Sequence, residues 1–294
     1  MRRRLSRSKL KQRVARSALQ GIARVVVPMV CKPDIQGELA DDENLVLMGN
    51  HVGHLDPLLL MYAASRRGVH PRFYGTNNLF RLPIIGQLMR AAKYQPVTFQ
   101  KRNSHHVDTT KTNVIDLVNN GIAALQEGEV VAGFSARITH RAGLKPERQE
   151  TGLARMALAA QSGIQPVTIV GAQNTVPFDE DFLAAAKRSC AAVKEFSGSL
   201  RPSERSSTKW PFRRPRAVIA FGDVIPAIPA EAMMDKGGRG LPLGRPGEAR
   251  KLAERVTAAL ETDLRRVVGG YPGIDVIRDP TRPIDEGRAP RTRK

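Results

Sequence analysis

Apolar residues in this chain alternate between short dense runs and stretches spaced at three and four. Residues 43–50 (ENLVLMGN), 70–77 (HPRFYGTN), 129–134 (EVVAGF), 164–172 (IQPVTIVGA) and 217–225 (AVIAFGDVI) carry the dense runs, and they read as strands. Between them lie helical patterns. Residues 56–68 predict a helix with Asp56 as N-cap, Pro57 at its first position, basic residues in its last turn and Gly68 beyond. Residues 112–128 place Val114, Leu117, Val118, Ile122 and Leu125 at helical spacing and stop at Gly128. Residues 152–163 and 248–268 predict two more helices. Residues 78–103 combine a helical segment, broken by Pro83 and Gly86, with an extended stretch ending in Lys101 and Arg102. Strands alternating with helices predict an α/β fold with a mostly parallel sheet flanked by helices.

The first 33 residues follow another pattern. Leu10, Val14, Ala18 and Ile22 recur every four residues, ten Lys and Arg surround them, and no acid precedes Asp34. Such a basic amphipathic helix suits an anionic membrane surface. It suits equally a basic arm whose stripe packs on the domain, and its Arg-rich start also resembles a transit peptide. The expected organisation is therefore a basic segment at 1–33, an α/β domain at 34–277 with a polar basic loop at 197–216, and a disordered basic tail at 278–294. No apolar run reaches membrane-spanning length, because the nearest, residues 21–31, contains Arg24 and Pro28. No secretory leader is expected either. In the 197–216 loop Trp210 and Phe212 stand among arginines, as an interfacial anchor or as packing on the domain.

Composition narrows the function. With 294 residues, 41% hydrophobic and 26% charged, the chain is globular, and its formal charge of +19 attracts polyanions. Aromatics at 5% are sparse for stacking on single-stranded bases, and the charge gathers in the termini and the 200s loop without a nucleic-acid module. No specific nucleic acid is expected as a partner. Cys31 and Cys190, the two cysteines, form no disulfide framework or cysteine zinc site, which fits a reducing cytoplasm. His105, His106 and Asp108 read as loop residues, with no second ligand cluster for a metal.

The candidate chemistry sits in residues 49–60 (GNHVGHLDPLLL). A His at a strand end, with an Asp five residues later at a helix start, suits a general base whose tautomer is fixed by a carboxylate. A capped helix would explain Asp56 equally well. The order of further blocks adds to this. Asn50, His51 and Asp56 match the Asn-His-x-Ser-x-x-Asp signature of the glycerolipid acyltransferase family, with Gly53 where the family has Ser. Residues 78–88 resemble its second block, 124–134 the run into its third, and 164–171 its fourth. Together they span residues 36–230 in order, so the chain resembles the 1-acylglycerol-3-phosphate and lysophospholipid acyltransferases. The third block departs: the family's Phe-Pro-Glu-Gly-Thr-Arg is here Phe134, Ser135, Ala136, Arg137, Ile138, Thr139.

The resemblance implies a glycerol-phosphate-acyltransferase-like fold and transfer of an acyl group from acyl-CoA or acyl carrier protein to a hydroxyl of a lysophospholipid or glycerol-phosphate-type acceptor. His51 would be the general base and Asp56 its partner, with Asn50, Arg81, Lys101, Arg102 and Arg137 on the substrates; Arg141 and Lys145 could also grip an anion. No metal or cofactor is implied beyond the acyl donor, and the protein is expected in the cytoplasm, peripherally on the membrane. The departure at Ala136 and Arg137 leaves a second reading, a diverged lipid-binding relative with a different acceptor or none. A basic nucleic-acid-binding protein is a third, resting on net charge alone.

Overall fold

The strand Leu45–Gly49 (β2) is buried along its whole length, and its side chains feed two separate cores. Leu45 and Leu47 join the apolar cluster on one face, Val46 and Met48 the cluster on the other. Successive strand residues point to opposite faces, so a continuous apolar run fits a strand covered on both sides. The structure is a computed structural model and describes residues 7–42, 44–52, 55–97, 99–102, 106–109, 114–134, 149–172, 216–226 and 246–270.

In chain order the described elements are α1 (Arg7–Val30), β1 (Lys32–Gln36), β2, α2 (Asp56–Arg66), β3 (Arg72–Thr76), α3 (Asn77–Phe80), α4 (Ile85–Ala91), β4 (Gln95–Val97), β5 (Phe99–Arg102), β6 (His106–Thr109), α5 (Val114–Gln126), β7 (Val131–Phe134), α6 (Thr151–Ala160), β8 (Gly163–Val170), β9 (Arg216–Phe221) and α7 (Pro246–Gly269). Seven strands form one sheet in the order β1-β9-β8-β2-β7-β3-β4. The five strands from β8 to β4 run parallel, as the sequence pattern predicts. At the other edge β9 runs antiparallel to β8, and β1 parallel to β9. One face is covered by α1, α2 and α4, the other by α5, α6 and α7. His106 and Asp108, expected in a loop, lie instead in β6, which pairs with β5 as an antiparallel hairpin. The break expected at Pro83 and Gly86 is a tight turn. Ile85 N donates to the Pro83 carbonyl at 2.7 Å, with Ile84 at a φ of 64°.

The first helix packs on the domain through a different stripe from the one picked out in the sequence. Its buried stripe is Ala15, Leu19, Ala23 and Val27, leading to Cys31. The expected stripe points outward: Leu10 is 53% and Val14 60% exposed, and Val25 (62%) and Met29 (55%) continue it toward the helix end. Hydrophobicity alone leaves the two stripes nearly equal, and the polar residues decide between them. Arg16 donates from Nε to the Ala92 carbonyl, from Nη1 to the His70 carbonyl and from Nη2 to Glu129. Gln12 also reaches Glu129, and Gln20 reaches the Val69 carbonyl. These partners precede β3, β4 and β7, so α1 is anchored at the end of the sheet where the parallel strands begin. None of the described helices is long and apolar enough to cross a membrane.

Glu129 is the hub of that anchor. It accepts from Gln12 and Arg16 and, through Arg72 Nε at 2.9 Å, from β3 as well. Burial would raise its carboxyl, but the hydrogen bond and charge of Arg16, with Arg72 and Gln12, together outweigh burial and hold it below the usual carboxylate range. A depressed folded-state value contributes stability above the unfolded value near 4.5 and loses it as pH falls through the folded value. Urea unfolding at a series of pH values tests this. Glu129→Ala, which leaves two buried guanidinium groups without their acid, is expected to lose about 3 kcal/mol at pH 7. It is also expected to lose less than the parent on acidification below pH 4.5. Equal parent and variant stabilities at pH 7 would refute the role.

Candidate active site

The end of β2 is held by a side chain. Asn50 lies one residue beyond the strand, buried, and its carboxamide is bonded on both sides to one residue of β8. Its Nδ2 donates to the Ile169 carbonyl at 2.9 Å, and Ile169 N donates to its Oδ1 at 2.7 Å. The Asn50 main chain adds a bond from its N–H to the Val167 carbonyl. Expected as a substrate contact, Asn50 here spends its amide on the neighbouring strand. The chain then turns away from the sheet, and the next residue is His51.

The imidazole Nδ1 of His51 lies 2.7 Å from Asp56 Oδ2, and the same oxygen accepts from Val52 N at 2.6 Å. Asp56 has no exposed surface, whereas the His51 side chain is 23% exposed. An ionised carboxylate can only accept, so Nδ1 carries the proton and Nε2 is left as the basic nitrogen. The expectation that Asp56 is the N-cap is corrected. Leu55 holds the cap position without a side-chain bond, and Asp56 is the first residue of α2. Its carboxylate oxygen Oδ2 reaches back to His51 and Val52. It still gains from the partial positive charge at the helix start.

A second ring completes the geometry. Phe134, the last residue of β7, stacks on His51 with ring centroids 4.9 Å apart and planes 24° apart. Gly49 is its direct partner in the β2–β7 register. A Cβ on Gly49 would lie 2.6 Å from Phe134 Cε1, closer than real Cβ atoms approach. Sequence reasoning missed Phe134 and Ile169. Phe134 is visible as the residue of the third block that still matches, while nothing in the sequence marks Ile169, whose contribution is main-chain.

Three of the other expected residues fall in described elements or turns. Arg81 follows α3 beyond the C-terminal end of β3, at the end of the sheet that carries His51, and is exposed. Lys101 and Arg102 are in β5, where they pair with Val107 and His106 of β6. Arg137, with Ala136, Arg141, Lys145, Gly53 and Trp210, lies outside the described residues. A cleft of about 420 Å³ lined by Arg72, Arg90, Lys93 and Tyr94 opens where β3 and β4 begin, at the opposite end from His51. Among the described residues, no three side chains of His, Cys, Asp or Glu converge as a metal site.

No curated protein matches the chain by sequence. Among solved structures, the fold is similar to the crystal structure of the 1-acyl-sn-glycerophosphate (LPA) acyltransferase PlsC from Thermotoga maritima. The TM-score is 0.52 at 13% identity, over 92% of this chain and 86% of that one. The family model described as Acyltransferase matches residues 14–170. That stretch runs from α1 to the last residue of β8 and takes in His51, Asp56, Phe134 and Ile169. With more than half of its length inside the match, the chain belongs to the acyltransferase family.

Proposed function

We propose that this protein is an O-acyltransferase. It moves a fatty acyl group from acyl-CoA or acyl carrier protein to a hydroxyl of a lysophospholipid or glycerol-phosphate-type acceptor. The observation that carries the reading is the 2.7 Å bond between His51 Nδ1 and a carboxylate with no exposed surface, which leaves Nε2 as the base. In the first step Nε2 takes the proton of the acceptor hydroxyl as its oxygen attacks the thioester carbonyl. Asp56 stabilises the imidazolium that forms. The tetrahedral intermediate then collapses, the C–S bond breaks, and the leaving thiolate takes the proton back from His51. Ester and thiol are the products, and the base is restored.

Direct transfer also accords with the chemistry of Cys31. It is buried, its thiol pushed up to about 12 by desolvation and donating to the Val27 carbonyl, so it is a poor nucleophile. Arg81, Lys101, Arg102 and Arg137 supply cations for the acceptor's phosphate or for the phosphates of CoA. Asn50 serves the site by holding the end of β2 against β8. The outward stripe of α1 shares its helix with the exposed Lys11 and Arg13, and the helix holds no acidic residue, which suits peripheral binding to an anionic membrane. The altered third block, Ser135-Ala136-Arg137, favours a second reading, a lipid-binding relative with a different acceptor.

Two experiments test the proposal. Labelled acyl-CoA offered with a panel of lysolipids should yield a labelled diacyl product. His51→Ala and Asp56→Asn should each lower its rate by about 100-fold or more with circular dichroism unchanged. Retained activity in His51→Ala removes the base, and no transfer to any acceptor selects the lipid-binding reading. For the membrane contact, Val14→Glu and Met29→Glu should each reduce co-sedimentation with phosphatidylglycerol vesicles at low salt while leaving the melting temperature nearly unchanged. Both positions are more than half exposed, so folding is spared. Vesicle binding equal to that of the parent would discard the helix as the contact.

A further inference from the structure

We propose that Phe134 is the positioning residue for His51, and that position 49 is glycine because only a missing side chain lets the Phe134 ring reach the imidazole. The inference rests on the reading of His51 as the base and assigns the part of its geometry that Asp56 leaves open. One hydrogen bond fixes Nδ1 but not the plane of the ring, which can still swing about the line from Nδ1 to Oδ2 and carry Nε2 away from an incoming hydroxyl. A flat partner against one face removes that freedom. The observed stack, with centroids 4.9 Å apart and planes 24° apart, is such a partner.

The glycine supplies an independent observation. Gly49 ends a fully buried strand, where glycine adds no packing and weakens the element. Its neighbours show what it does instead. A Cβ there would meet Phe134 Cε1 at 2.6 Å and Cδ1 at 2.9 Å, while the next contact, the Val167 carbonyl oxygen, stands at an ordinary 3.5 Å. The obstacle is therefore the Phe134 ring alone. Because Gly49 and Phe134 are register partners, the ring leans directly over Gly49 to lie on His51, two residues further along. The chain places carboxylate, imidazole and phenyl ring in series: Asp56 sets one end of the imidazole, Phe134 sets its plane, and Nε2 remains for the substrate.

A bland alternative is that Phe134 is ordinary packing, since it also borders the cluster under α2. Four variants separate the two: Phe134→Leu, Gly49→Ala, the double variant, and Phe134→Tyr. If Phe134 positions the base, Phe134→Leu lowers kcat about tenfold, the scale of one aromatic stack, with KM changed less than about twofold. Gly49→Ala, by displacing the ring, produces a similar loss. In the Phe134→Leu background the same Gly49→Ala change costs little more, because the ring it would have displaced is gone. Phe134→Tyr keeps the stack and restores kcat.

Nitrogen-15 spectra of the His51 ring, recorded without substrate, read the geometry directly. The parent and Phe134→Tyr are expected to show a held ring with narrow signals, and Phe134→Leu and Gly49→Ala signals broadened by motion of the ring plane, with Nδ1 protonated in all four because the bond to Asp56 is kept. Losses that multiply in the double variant, or His51 spectra that do not change in Phe134→Leu, overturn the proposal. Because the spectra need no turnover, an enzyme inactive on every acceptor would reject His51 as the base and still leave the positioning role decided by the ring signals.

Discussion

A strand buried on both faces has no solvent side to absorb an error of register. Shifting β2 by one residue would exchange Leu45 and Leu47 with Val46 and Met48 between two separately packed cores, and every helix above and below would meet the wrong side chain. The register is pinned where the strand stops, by the two bonds between the Asn50 carboxamide and the main chain of Ile169. Residue 51 is the first one free of the sheet. The site is thus a continuation of the core, and the precision of His51 derives from the strand behind it.

At the far end of the same sheet a different device fixes α1. Glu129 gathers Arg16, Arg72 and Gln12, drawing one helix and two strand starts to a single carboxylate. Buried ion pairs add little net stability over apolar packing, yet they penalise any arrangement that leaves a charge alone. That penalty turns Ala15, Leu19, Ala23 and Val27 inward and leaves Leu10, Val14, Val25 and Met29 outside.

What the sequence discloses and what it hides follow from these two devices. Dense apolar runs and helix stops depend on neighbours a few residues away, so the strand–helix alternation is legible, as are the spacing of His51 to Asp56 and the order of the blocks. The face of α1 is not, because it is chosen by partners such as Ala92, His70 and Glu129, distant along the chain. Periodicity gives no strand direction either, and the reversal at β9 and the β5–β6 hairpin are properties of pairing. Asp56 resembles a cap because local rules favour one; a stronger acceptor role toward His51 and Val52 takes the carboxylate elsewhere. Phe134 sits at a position whose meaning appears only when β7 lies beside β2.

The way α1 is anchored also bears on how the chain is made. Arg16 leaves the ribosome well before its counter-charge, since Glu129 follows 113 residues later. The strand after α1 waits longer still, because β1 pairs with β9, and Asp34 is bonded by Arg216, 182 residues on. Contacts so far apart in sequence close late, after the entropy of the intervening loop has been overcome. During synthesis, therefore, α1 meets α2 through Arg24 and Ser65, 41 residues on, well before its charge anchor is complete. The helix can dock early and still be locked late, when Glu129 closes on Arg16.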